Sequence, residues 1–150
     1  MGAKCTRCIK PVMGEGNSQS GIMLIGQNPG ETEEKLGRPF VGRTGRFLDK
    51  VFAEHGIDRK NLYITSVVKC RTQGNRKPSP AEVKSCLPIL TEEIKNIKPK
   101  VIVLMGKVAQ GIPRLSGIDY IETVHPTAAM RFPKYRKKFM DDIAKLESYL

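Results

Sequence analysis

The residues best suited to chemistry lie in one glycine-rich segment, residues 26–45, with the sequence GQNPGETEEKLGRPFVGRTG. It holds an amide pair, Gln27 and Asn28, an acidic residue at Glu33, and an aromatic one, Phe40, among glycines and prolines. Amide and carboxylate groups can orient a water molecule or stabilise charge, and an aromatic face can stack on a flat ligand. A strand-to-helix connection usually takes about 2–6 residues. The length and composition of this segment therefore predict a binding loop.

Further polar residues stand where predicted strands end. The apolar runs that predict strands are 21–25, 62–68, 101–104 and 120–124. The first is followed by Gln27 and Asn28, the second ends near Ser66 with Asn75 in the loop beyond, and the last ends at His125. Because helices separate the strands, we predict an α/β fold with three layers, α/β/α, around a central, mainly parallel four-stranded sheet. The carboxyl ends of parallel strands share one edge, so these side chains are expected to line one cleft.

Helical patterns fill most of the intervals between the strands. Apolar spacing predicts a helix from Arg46 to His55, closed by Gly56, and Ser79 is the expected N-cap of a helix that runs to about Ile97. A short helix is expected after Gly106, and an amphipathic one from about Lys134 to Leu150. Residues 69–80 and 128–133 are predicted to be loops.

The charge of the chain indicates an anionic partner. The 150 residues contain 26 Lys and Arg against 15 Asp and Glu, which gives a net charge of +11. Nucleic acid is the first candidate for such a partner. The basic residues that could contact phosphates are Arg43, Lys69, Arg71, Arg76, Arg131, Lys134, Arg136, Lys137 and Lys138. With no apolar run near the roughly 18 residues that a membrane span needs, we expect a soluble, cytoplasmic monomer without membrane contact.

Four cysteines suggest a metal site. Cys5 and Cys8 form a C-x2-C pair, and Cys70 and Cys86 follow much later in the chain. In a reducing cell such cysteines are more often metal ligands than disulfides. On count alone, four thiolates suit zinc or an iron–sulfur cluster equally well, and unligated buried cysteines are the alternative.

Taken in order, these motifs resemble those of the family 4 (iron–sulfur) uracil-DNA glycosylases. The resemblance begins with C-x2-C and GEGN at Gly14–Asn17, and continues through G-x-x-P-G-x-x-E and GRPFVGRTG. It goes on with YIT-x-VVKCR at Tyr63–Arg71, N-R-x-P at Asn75–Pro78, and His125-Pro126 followed by Arg131. Because it covers nearly the whole chain, it implies that residues 1–150 form a single domain of this type with an N-terminal cluster-binding segment.

The resemblance implies roles for individual residues. Cys5, Cys8, Cys70 and Cys86 match the ligands of a [4Fe-4S] cluster, which favours iron–sulfur over zinc. Phe40 matches the aromatic residue that stacks on the flipped base, and Gly26 and Asn75 match substrate-binding positions. His125 matches the histidine of the catalytic pocket, Glu33 an acidic residue of the first motif, and Asn28 a water-positioning Asn found in other branches of the superfamily. Arg43, Arg71, Arg76, Arg131 and Lys134 are the candidate DNA-binding residues.

Two positions depart from the family pattern. Gln27 replaces an acidic residue, and Ser66 stands where the family has an Asn that hydrogen-bonds the uracil edge. A serine hydroxyl cannot make the simultaneous donor and acceptor contacts of an amide. We therefore expect a weaker or broader base preference.

The resulting prediction is a monofunctional DNA glycosylase that excises uracil, or a related deaminated or mismatched base, and so starts base excision repair. A catalytically weak or inactive iron–sulfur protein that binds DNA or senses lesions is the alternative, and a zinc-ribbon nucleic-acid module is a third hypothesis. A covalent mechanism is disfavoured because residues 71–78 contain no histidine. The sequence identifies no replication-clamp or repair partner, and no preference between single and double strands.

Overall fold

The computed structural model describes residues 8–150. The strands in this range are β1 (Glu15–Gly16), β2 (Ile22–Gly26), β3 (Tyr63–Ser66), β4 (Val101–Met105) and β5 (Asp119–Thr123). The α-helices in this range are α1 (Glu31–Leu36), α2 (Arg43–Glu54), α3 (Pro80–Ile97), α4 (Lys107–Gln110), α5 (Pro126–Arg131) and α6 (Pro133–Ala144). Short 3-10 turns occur at Arg59–Asn61, Gln73–Asn75 and Lys145–Tyr149.

The described strands form one sheet in the order β1-β3-β2-β4-β5, and all neighbours are parallel except β1 and β3. The α/β prediction with a mainly parallel sheet is confirmed. The predicted strand count of four was wrong, because residues 8–150 contain five. The additional strand, β1, has two residues and pairs antiparallel with β3 through Glu15 opposite Ile64. A two-residue strand carries no hydrophobic period, so only its tertiary pairing defines it.

Helices cover both faces of the sheet, which gives the predicted three layers. Met23 and Ile25 of β2 face a cluster that includes residues of α3 and α4. Ile22 and Leu24 face the opposite cluster, which includes residues of α2, α5 and α6. Every residue of β2, β3 and β4 is buried, and strands buried on both faces need largely apolar sequences, which is why these three were visible as apolar runs.

Several helix boundaries differ from the prediction. The loop expected at residues 26–45 contains α1, whose acidic first turn suits the positive end of a helix and which closes at Gly37 with φ of 70°. The loop expected at 128–133 is largely α5, which starts at Pro126. The C-terminal helix ends at Ala144 and continues as a 3-10 turn, where Leu146 is buried.

The helix α3 agrees with its prediction. Ser79 accepts a hydrogen bond from the amide of Glu82, and the carboxylate of Glu82 accepts one from the amide of Ser79.

Among the helices of residues 8–150, none has the length and hydropathy that a membrane span requires.

Candidate active site

A cavity of about 440 Å³ lies at the carboxyl ends of β2, β3 and β5. In the strand order, β3 and β4 lie on opposite sides of β2, so the direction in which strands are added to the sheet reverses there. Open α/β sheets bind ligands at such a topological switch point. The cavity is lined by Val12, Asn28, Pro29, Gly30, Glu31, Thr32, Glu33, Pro39, Phe40, Gly42, Arg43, Thr44, Ser66, Asn75, His125 and Thr127. The expected convergence of amide, aromatic ring and imidazole therefore exists in the structure.

Phe40 is held in an unusual backbone conformation. Its φ is 49°, in the left-handed region that is uncommon for a residue with a side chain. Arg59 fixes this conformation by donating hydrogen bonds to the carbonyl oxygens of Phe40 (2.5 Å) and Pro39. The ring of Phe40 lies directly over Gly26, at the end of β2, so Gly26 contributes the space for the ring although it does not line the cavity.

Glu33 braces the loop around Phe40. Its carboxylate accepts hydrogen bonds from the amides of Val41 (3.1 Å) and Gly42 (2.7 Å), just after Phe40. It also accepts one from the amide of Gly30 at 3.1 Å. Bonds between a carboxylate and backbone amides are strong ones, so Glu33 sets the shape of this wall of the cavity.

The amides of Gln27 and Asn28 form a chain. Gln27 donates from Nε2 to Oδ1 of Asn28 at 3.3 Å, and Nδ2 of Asn28 lies 3.4 Å from the carbonyl oxygen of Cys70. Asn28 lines the cavity, whereas Gln27 is not among the lining residues. The two neighbouring amides therefore occupy different positions, and of the two only Asn28 is placed to contact a ligand in the cavity.

Ser66 is buried at the end of β3, and its hydroxyl donates to the carbonyl oxygen of Val68 at 2.7 Å. Its single hydrogen is used in that bond, so the oxygen presents lone pairs to the cavity. The amides of Val67 and Val68 donate to the carbonyl oxygens of Gly26 and Gln27, both at 3.0 Å. These bonds attach the end of β3 to the loop that carries Asn28.

His125 is the N-cap of α5, and its Nδ1 accepts a hydrogen bond from the amide of Thr127 at 3.1 Å. Burial lowers the pKa of His125 to about 4, so the imidazole is neutral at pH 7. With Nδ1 accepting, the proton of the neutral ring resides on Nε2, which can donate. Gly106 packs beneath the ring, because a Cβ there would lie 3.1 Å from Cβ of His125.

The predicted DNA-binding residues differ in position. Arg43 lines the cavity, and Arg71 stands behind Asn75, donating from Nε to its Oδ1 at 3.0 Å. Arg76 pairs with Glu82 at the surface. Arg131 lies in the last turn of α5 and Lys134 in the first turn of α6, so both follow the His125 segment.

Lys69 was also a candidate for phosphate contact, and this prediction was wrong. Its side chain is fully buried, so it cannot reach a DNA backbone. The basic character of the Lys69–Lys77 segment had suggested a solvated loop. The ammonium of Lys69 lies in the interior because it pairs there with Glu93 of α3, which is distant in the sequence.

The described cysteines lie close together. Cys8 and Cys70 are joined by a disulfide, with their Cα atoms 6.2 Å apart. Cys86 of α3 is buried in the same apolar cluster as Cys70, and Cys8 packs against that cluster. Cys5 lies outside the described residues. Within residues 8–150, no group of three or more His, Cys, Asp or Glu side chains is arranged to hold a metal ion.

Several lining residues were not anticipated from the sequence. Thr127 follows the His-Pro pair directly, and Thr44 follows Arg43, so proximity to the motifs was their only signal. Val12 reaches the cavity because the N-terminal segment crosses behind β3, where its amide donates to the carbonyl oxygen of Lys69 at 2.7 Å. This crossing is a tertiary contact without a local sequence pattern.

The fold and this cavity define an α/β protein with a ligand site at the carboxyl ends of its strands, and comparison with known sequences gives the family. The profile of the Uracil DNA glycosylase superfamily matches residues 13–146. The chain belongs to this superfamily.

Three curated relatives carry the name Type-4 uracil-DNA glycosylase. That of Thermotoga maritima is 37% identical over 98% of this chain and 90% of its own length. That of Pyrobaculum aerophilum is 35% identical over 89% of this chain and 80% of its own. That of Saccharolobus solfataricus is 34% identical over 98% of this chain and 82% of its own.

Proposed function

We propose that this chain is a monofunctional glycosylase that excises uracil from DNA by hydrolysing the N-glycosidic bond, which initiates base excision repair. The observation that carries the proposal is the shared cavity of Asn28, Phe40 and His125, in a chain that belongs to the superfamily. Its residues 1–150 act as one domain with an N-terminal cluster-binding segment. The curated relatives disfavour the alternative of an inactive lesion sensor.

Substrate binding begins with extrusion of the base. Removing a base from the stack costs a few kcal/mol, and stacking on an aromatic ring returns about 1–3 kcal/mol. Phe40, held over Gly26 by the bonds of Arg59 and Glu33 to its loop, offers such a face at the wall of the cavity. The ring is rigid before binding, so little conformational entropy is lost when the base arrives.

In the chemical step, the bond between C1′ and N1 of uracil breaks, and the oxygen of a water molecule bonds to C1′. The base leaves with the electron pair of the broken bond as an anion, and the proton lost by water balances that charge. The neutral His125 donates a hydrogen bond from Nε2 to the oxygen on which the charge of the base develops. Asn28 orients the attacking water, and Gln27 fixes the Asn28 amide from behind.

Glu33 and Asn75 complete the cavity wall. The three amide contacts of Glu33 hold the Phe40 loop, and its negative charge also favours the oxocarbenium-like sugar of the transition state. Asn75 has φ of 57°, and its side-chain oxygen Oδ1 accepts a hydrogen bond from Arg71, which leaves the NH2 group of the side chain to contact the base.

Selectivity rests on Ser66. Since its hydrogen is used on Val68, the hydroxyl can accept from the ring N–H of uracil but cannot donate to the adjacent carbonyl. The Ser66→Asn variant should therefore excise uracil faster and discriminate more sharply among uracil, mismatched thymine, hypoxanthine and xanthine. A rate unchanged on all four substrates would mean that other residues read the base.

DNA is held by basic residues around the cavity. Arg43 lies in the wall, and Arg131 and Lys134 flank the exposed Phe132, which is 47% accessible and packs edge-to-face on Tyr135. Phe132 is suited to fill the space that an extruded base leaves in the stack. Arg71 and Arg76 lie beside Asn75 and add positive charge on that side of the cavity.

A [4Fe-4S] cluster is the proposed cofactor, and the chemistry of the cysteine side chains supports it once the disulfide is reduced. The bonded pair of Cys8 and Cys70 and the buried Cys86 converge in one apolar cluster, and thiolates are the usual ligands of iron–sulfur clusters. Ligation requires the two bonded sulfurs to be reduced thiolates, and Cys5 would supply the fourth. When bound by these cysteines, the cluster would join the N-terminal segment to the loop after β3 and to α3, and so would serve a structural role.

Two measurements test the proposal. Single-stranded and duplex oligonucleotides that each carry one uracil are incubated with the protein and then treated with alkali, which cleaves abasic sites. Cleavage at the uracil position of either substrate, absent without protein, supports the proposal, and failure to cleave both refutes it. Iron, sulfide and zinc are quantified in anaerobically purified protein. Iron and sulfide with broad visible absorption support the cluster, whereas a colourless zinc protein refutes it.

A further inference from the structure

A buried ion pair lies outside the base cavity. The ammonium of Lys69 contacts the carboxylate of Glu93, and their side chains are 0% and 7% exposed. Taking two charges out of water costs several kcal/mol per ion, and apolar residues of similar volume often serve stability equally well. The pair therefore needs an explanation other than stability.

Glu93 joins segments that are distant in the sequence. Its carboxylate accepts hydrogen bonds from the hydroxyls of Tyr63 and Thr65, both at 2.9 Å, and from the amide of Gly14 at 3.2 Å. Burial and the neighbouring carboxylate of Glu93 raise the pKa of Tyr63, which keeps its hydroxyl protonated as a donor. Glu93 lies two helical turns after Cys86 on α3, so the same face of that helix carries both residues.

Lys69 connects this carboxylate to the base cavity. Its ammonium donates to the carbonyl oxygen of Ser66 at 2.5 Å and to Oγ1 of Thr65 at 2.6 Å. Ser66 is the residue of β3 that lines the cavity, and Cys70 follows Lys69 directly. The ion pair thus contacts the backbone between the base cavity and the cysteines.

We propose that Lys69 and Glu93 are a positioning pair that fixes the main chain from Ser66 to Cys70. Through this main chain the pair couples the described cysteines to the base cavity. The inference rests on the proposed function and deepens it. An ammonium has directed donors and an apolar side chain has none, so only the charged pair can hold the Ser66 carbonyl at one place. Misplacing a cavity residue by about 1 Å can cost 10²-fold in rate.

The test uses the full chain and two variants, Glu93→Gln and the apolar double variant Lys69→Met with Glu93→Leu. Glu122→Gln is the matched control, because it removes the same charge from an exposed pair with Arg114. Single-turnover excision of uracil, DNA affinity, thermal unfolding and deuterium exchange at residues 63–70 are measured for each. For both variants of the pair we expect the single-turnover rate constant to fall about 10- to 100-fold, with DNA affinity unchanged within about twofold and with faster exchange at residues 66–70. The Glu122→Gln control should match the wild type in all of these.

The double variant keeps the test decisive if Glu93→Gln fails to fold. It should unfold within a few degrees of the wild type and still excise slowly. Excision by the double variant at the wild-type rate, or a loss that only follows the folded fraction, would overturn the inference. If the wild-type protein leaves uracil in place, the proposed function fails instead. In that case exchange at residues 66–70 tests the positioning role separately, and exchange in the variants equal to that of the wild type would overturn it.

Discussion

The ring of Phe40 occupies the space in which a side chain on Gly26 would begin. A Cβ atom built on Gly26 would lie 2.3 Å from Cζ and 2.8 Å from Cε2 of Phe40. Real atoms do not approach so closely, so the strand end and the aromatic wall of the cavity fit together only because residue 26 has no side chain. This relationship connects the sheet to the proposed stacking surface.

Gly26→Ala should therefore displace Phe40 and slow uracil excision by about 10- to 100-fold, the equivalent of losing the stacking contact. Gly21→Ala is the matched control. It lies just before the same strand, and its Cβ would meet only the side chain of Lys100 at an ordinary 3.6 Å. Single-turnover rates check the prediction, and equal rates for the two variants would contradict it.

His125→Leu, which leaves no donor at this position, should lower kcat by about 10²- to 10³-fold, the usual cost of removing one donor from a developing anion. Binding to DNA that contains an abasic analogue should change little, because the bond forms mainly in the transition state. His55→Leu serves as the control, since His55 lies at the end of α2 and outside the cavity lining. A loss below threefold would rule out the donor role of His125.

The pH profile follows from the pKa of His125. Because burial lowers this pKa from 6.5 to about 4, the donor stays neutral, and kcat should be level from pH 8 to about 5 and change only near pH 4. The unfolded chain binds the proton below about pH 6.5, so the stability that His125 contributes is complete above that pH and is lost as the pH falls towards 4. Chemical unfolding at several pH values should show the free energy of unfolding falling as the pH falls in the wild type, and falling with a smaller slope in His125→Gln. Identical slopes would argue against a buried neutral imidazole.

Glu33→Gln should loosen the Phe40 loop. An amide side chain offers one acceptor oxygen in place of two, while the carboxylate accepts from the amides of Gly30, Val41 and Gly42. We expect about 10-fold slower excision and faster deuterium exchange at residues 39–42. Glu34→Gln, the neighbouring substitution with the same charge change, controls for electrostatics. If both variants lose the same activity, charge rather than loop geometry is responsible.

DNA affinity should depend steeply on salt. For a protein that neutralises six or more phosphates, affinity falls about 10³-fold or more between 50 and 200 mM salt. Arg131→Gln and Lys134→Gln should each reduce the slope of log affinity against log salt by about one. Arg114→Gln, which removes the same charge from a residue paired with Glu122, should leave the slope unchanged. Fluorescence anisotropy of a labelled duplex provides the measurement.

Sequence patterns predicted the elements that depend on local or strand-long signals. The strands β2, β3 and β4 were apparent because both of their faces are buried, and α3 because Ser79 and Glu82 form a reciprocal cap. The grouping of Asn28, Phe40 and His125 followed from the shared edge of a parallel sheet. These inferences need only the chain itself and the geometry of strands.

Features made by distant contacts escaped prediction. The strand β1 exists through its pairing with β3, and Lys69 is buried because of a carboxylate 24 residues further along the chain. The separation of Gln27 from the cavity depends on the path of the backbone after β2. Adjacent polar residues look alike in sequence, and only the folded backbone decides which of them faces a ligand.

The most direct measurement is the crystal structure of the protein bound to single-stranded DNA that carries 2′-fluoro-2′-deoxyuridine, an analogue that resists cleavage. The account predicts an extruded uracil stacked on Phe40, with its O2 oxygen within hydrogen-bonding distance of Nε2 of His125 and an ordered water beside Asn28. A uracil held elsewhere on the protein, with this cavity empty, would contradict it.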